Sequence, residues 1–72
     1  GVTPLTFDLQ LAPVFPAGIT AVHAPTAVRS WGQALADLDA VSSGWTYRAA
    51  DRVVVVRVAD TPATIAVRVN RN

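Results

Sequence analysis

Catalysis by side chains needs a nucleophile, a base and a group that orients them, and this chain offers few of each. It has a single His, His23, and contains no Cys, Glu or Lys. His23 precedes Ala24 and Pro25 in a stretch of strand character, so it reads as a surface or half-buried strand residue and not as a general base. Asp37 and Asp39 stand two apart in a segment with helical spacing, which sends their carboxylates to diverging faces. They therefore read as solvated charges and not as an acid–base pair across a substrate. The five carboxylates, Asp8, Asp37, Asp39, Asp51 and Asp60, are scattered without the dense oxygen spacing of a calcium loop, so no metal site is expected. The four glycines are isolated, which leaves no phosphate-cradling loop and no cofactor expectation. Arg48, Arg52 and Arg57 lie beside Asp51 and Asp60, a pattern suited to cross-strand pairing on a wet sheet face.

Three aromatic residues complete the chemistry-bearing set. Trp31, Trp45 and Tyr47 are candidate carbohydrate-binding residues, because a flat π-face stacks on the apolar C–H face of a pyranose. Trp45 and Tyr47 are two apart and share one face of a strand, the geometry such a platform requires. The same spacing serves a plug at the end of a hydrophobic core, and that reading is preferred for Trp45.

Composition sets the frame for these residues. A chain of 72 residues is one small module, and folding at that size buries only ~60% of the unfolded surface. The absence of cysteine excludes a disulfide framework and a thiolate zinc site. Hydrophobic residues make up 51% and charged residues 15%, more apolar material than a lone small domain needs. Part of the surface is therefore expected to be covered by the remainder of a larger polypeptide, by a partner subunit or by further copies in a homo-oligomer, and a start at Gly1 fits an excised or processed piece. Net charge of +1 supplies no field for nucleic acid, and no apolar run approaches the ~18 residues of a membrane span.

The elements follow from hydrophobic period. Leu5, Phe7, Leu9 and Leu11 alternate with Thr6, Asp8, Gln10 and Ala12, the pattern of a strand with one wet face. Pro13 and Pro16 end it, Gly18 supplies a turn, and Ile19 to Ala24 form a second strand that Pro25 closes. Ser30 and Gln33 make a capping box before Trp31, Ala34, Leu35 and Leu38, which predicts one amphipathic helix running to Val41. From Gly44 to Val58 an aromatic strand, a turn at Ala49 to Asp51 and the β-branched run Val53 to Val58 predict a central hairpin. After a turn at Asp60 to Pro62, Thr64 to Asn70 alternate again and are expected to join that hairpin as its third antiparallel strand. The predicted fold class is all-β, an antiparallel β-sandwich or sandwich half with one short helix.

Residues 15–69 resemble the C-terminal β-sandwich modules that follow the catalytic barrel in bacterial family 31 glycoside hydrolases, the α-glucosidase and α-xylosidase group. The resemblance is carried by Phe-Pro-Ala-Gly-Ile-Thr-Ala-Val at 15–22, Ala-Leu-Ala-Asp-Leu-Asp-Ala at 34–40 and Ser-Gly-Trp-Thr-Tyr at 43–47. Arg-Val-Val-Val-Val-Arg-Val and the final Ile-Ala-Val-Arg-Val complete it. Arg48 replaces the Asp usual after the Trp–Tyr pair, and Ala24, Pro25 and Thr26 replace an Asn-Gly turn. The resemblance implies a non-catalytic accessory module that supports a barrel in a secreted or periplasmic carbohydrate-active enzyme. None of the barrel's catalytic carboxylates has a counterpart here. Residues 34–47 also look like the short N-terminal domain of secretins and outer-membrane receptors, which would make the chain an envelope component. A small structural subunit of an assembly is the third reading.

Overall fold

The computed structural model describes residues 5–10, 14–23, 27–59 and 64–71. Six strands form two antiparallel three-stranded sheets that pack as a small sandwich. β1 (Leu5–Gln10), β5 (Val53–Val58) and β4 (Gly44–Arg48) make the first sheet, in the order β1-β5-β4. β3 (Ala27–Trp31), β2 (Pro16–His23) and β6 (Ile65–Arg71) make the second, in the order β3-β2-β6.

The valine run is the middle strand of its sheet, as its β-branched composition leads one to expect. Register places Val54, Val56 and Val58 on the face shared with Leu9, Phe7 and Leu5 of β1, and opposite Trp45 and Tyr47 of β4. All three valines are fully buried, together with Trp45 and Ile19. Phe7, Leu9, Trp31, Tyr47, Ile65, Val67 and Val69 close around them. The hairpin turn falls at Ala49–Arg52, with the Asp51 N–H donating to the Arg48 carbonyl at 3.2 Å and Arg52 in the left-handed region at φ 57°.

Three expectations are corrected. The terminal strand does not extend the hairpin: β6 pairs with β2, matching Val69 to Ile19, Val67 to Ala21 and Ile65 to His23. Both ladder edges of β5 are already taken, one by β4 and the other by β1, whose alternating Leu5, Phe7 and Leu9 match the buried valines in register. The amphipathic helix from Ser30 is also absent. Its first residues lie in β3, where Ser30 pairs with Thr20 and Trp31 with Ile19, and only a 3₁₀ turn at Leu38–Ala40 follows. A helix of three turns is marginal in isolation, and strand pairing with tertiary contact outcompetes it here. Finally, Gly18 is not a turn but lies inside β2, at a register irregularity between Pro16 and Gly18. A Cβ there would stand 3.1 Å from the backbone of Gly32, so its small size permits the close approach of the segment after β3. Leu11, Pro13, Ala24, Pro25 and the Asp60–Pro62 turn lie outside the described residues.

The segment from Gly32 to Val41 instead covers the outer face of the first sheet at Gly44 and Arg57. Leu35, Leu38 and Val41 gather over Gly44, where an added Cβ would meet Leu35 Cδ1 at 2.7 Å. Gly44 also has φ +156°, a conformation that disfavours any side chain. Arg57, paired with Gly44 on that face, donates from Nη1 to the carbonyls of Leu38 at 2.6 Å and Val41 at 3.3 Å. Its cationic fork thereby takes up carbonyls at the end of the 3₁₀ turn.

Candidate functional site

The three aromatic candidates converge at one end of the sandwich, although they arrive from different sheets. Trp45 and Tyr47 point inward from β4, and Trp31 ends β3 across the interior. The Trp45 indole Nε1–H donates to the Trp31 carbonyl at 2.7 Å, a hydrogen bond that ties one sheet to the other. The Trp45 carbonyl accepts from the Leu35 N–H at 2.8 Å, which hangs the following segment on the same strand.

Beside this cluster runs an open groove of about 360 Å³ between the start of β2 and the segment after β3. Its lining is Phe15, Pro16, Ala17, Gly32, Gln33, Ala34 and Trp45. That volume lies within the ~300–1,000 Å³ usual for small-ligand clefts. Its lining side chains are apolar apart from Gln33, whose amide can donate and accept, but polar atoms form about as much of the open wall as carbon does, and no charged residue lines it. Phe15 is 54% exposed and meets Tyr47 edge to face, with ring centroids 5.0 Å apart and planes at 76°. The arrangement suits a neutral, ring-shaped ligand or a side chain of a contacting protein, held by contact with Phe15 and by uncharged polar groups that include the Gln33 amide.

The individual aromatics differ in what they can offer. Trp45 has no exposed surface, so its ring is packing material and leaves no face open for stacking. Tyr47 and Trp31 are half-buried, Tyr47 against Phe15 and Trp31 against the core. Phe15 and Gln33 are the residues that sequence reasoning missed. Phe15 sits between two prolines in a stretch read as a strand break, and no local signal connects it with Tyr47.

Of the remaining chemistry-bearing residues, His23 departs from the expectation of a surface or half-buried position, while the acids and arginines are engaged in turns and ion pairs. His23 is 7% exposed on the inner face of β2, and among the described residues its Nε2 has no hydrogen-bond partner. Asp37 Oδ1 accepts from the Asp39 N–H at 2.9 Å, capping the 3₁₀ turn, and Asp39 lies 3.5 Å from Arg57. The two acids are therefore engaged separately, on a turn and not on a helix. Arg48 pairs with Asp51 at 3.5 Å across the hairpin turn, as its sequence neighbourhood suggests, and also with Asp8 of β1 at 3.0 Å. Among the described residues no three His or carboxylate side chains converge to hold a metal ion. No helix among them is long and apolar enough to cross a membrane.

Comparison with family models, with curated proteins and with solved structures finds no match to this chain.

Proposed function

We propose that this chain is a non-catalytic β-sandwich module of a larger carbohydrate-active enzyme of the α-glycosidase type, and that it acts by contact. The observation that carries the contact role is the groove at the aromatic end, open, of mixed polarity and rimmed by the exposed Phe15. An open groove edged by an exposed aromatic ring on so small a domain is suited to receive a neighbouring part of the same polypeptide. Its Gln33 amide would orient that contact. The glycosidase context comes from the resemblance of residues 15–69 alone, and with it the secreted or periplasmic location. The two-sheet architecture favours an accessory sandwich over the envelope-domain reading, whose layout calls for a second helix after the valine strand.

The size and company of the chain in its native extract test this. Antibody raised against the folded chain should detect a species far above 7.6 kDa that co-fractionates with α-glucosidase or α-xylosidase activity. A free species of 7.6 kDa with neither activity in its fractions overturns the proposal.

A further inference from the structure

No further inference is drawn: the strongest candidate, the outer edge of β6 with its half-buried Ile65, Val67 and Val69, is a strand edge left unpaired among the described residues, and nothing in the structure shows what covers it.

Discussion

Truncating Trp45 to alanine separates a core residue from a ligand platform. Trp45 is fully buried and is the largest such side chain in the core. With about 200 Å² of aromatic surface at about 25 cal/mol per Å², its removal forfeits at most about 5 kcal/mol of burial. The range observed for such truncations, about 3–5 kcal/mol, agrees. A chain of 72 residues has a total stability of about 4–11 kcal/mol, so Trp45→Ala should remove much or all of it. Trp45→Phe isolates the polar part, since it keeps most of the ring but deletes the Nε1–H that donates to Trp31 at 2.7 Å. An unsatisfied carbonyl in that position costs about 1–2 kcal/mol, or a midpoint drop of about 4–8 °C for each kcal/mol. Thermal melts of the three proteins by circular dichroism, each paired with a maltose titration, make the comparison. Unchanged melts for Trp45→Ala together with lost sugar binding would refute the reasoning and place the indole on a binding surface.

Val56→Asp should abolish the cooperative melt, because Val56 is fully buried between Phe7 and Trp45 and a carboxylate there has no partner. A retained transition in that variant would contradict the assignment of β5 as the central strand. Gly44→Ala should cost about 1–3 kcal/mol, since its φ of +156° is strained for a side chain and the new Cβ meets Leu35 at 2.7 Å, and chemical denaturation measures it. A neutral result would contradict both the backbone strain and the Leu35 contact. Replacing His23 by Leu should be neutral or stabilising by up to about 1–2 kcal/mol, because it removes a buried Nε2 without a partner among the described residues. A loss of more than that amount would reveal a hydrogen bond to His23 that the structure does not describe.

Strand identity was legible in the sequence wherever its cause is local. The alternation from Leu5, the β-branched run at Val53–Val58 and the alternation through Ile65–Val69 each bury one face, and each is a strand in the structure. The shared face of Trp45 and Tyr47 follows from the same period. Pairing was not legible, because nothing in residues 64–71 distinguishes the free side of a hairpin from the free side of β2. Only the joint fit of Ile65, Val67 and Val69 to His23, Ala21 and Ile19, with β1 already on β5, decides it. The helical spacing from Ser30 misled for a related reason: Trp31, Leu35 and Leu38 are apolar at the right intervals, yet their partners come from β2 and β4 and not from one another. Of the candidate site, the sequence by itself determined the aromatic residues and the face that two of them share. Tertiary structure alone buried Trp45, set Phe15 against Tyr47 and opened the groove beside Gln33, because these depend on how two sheets stack across the chain and not on any local period.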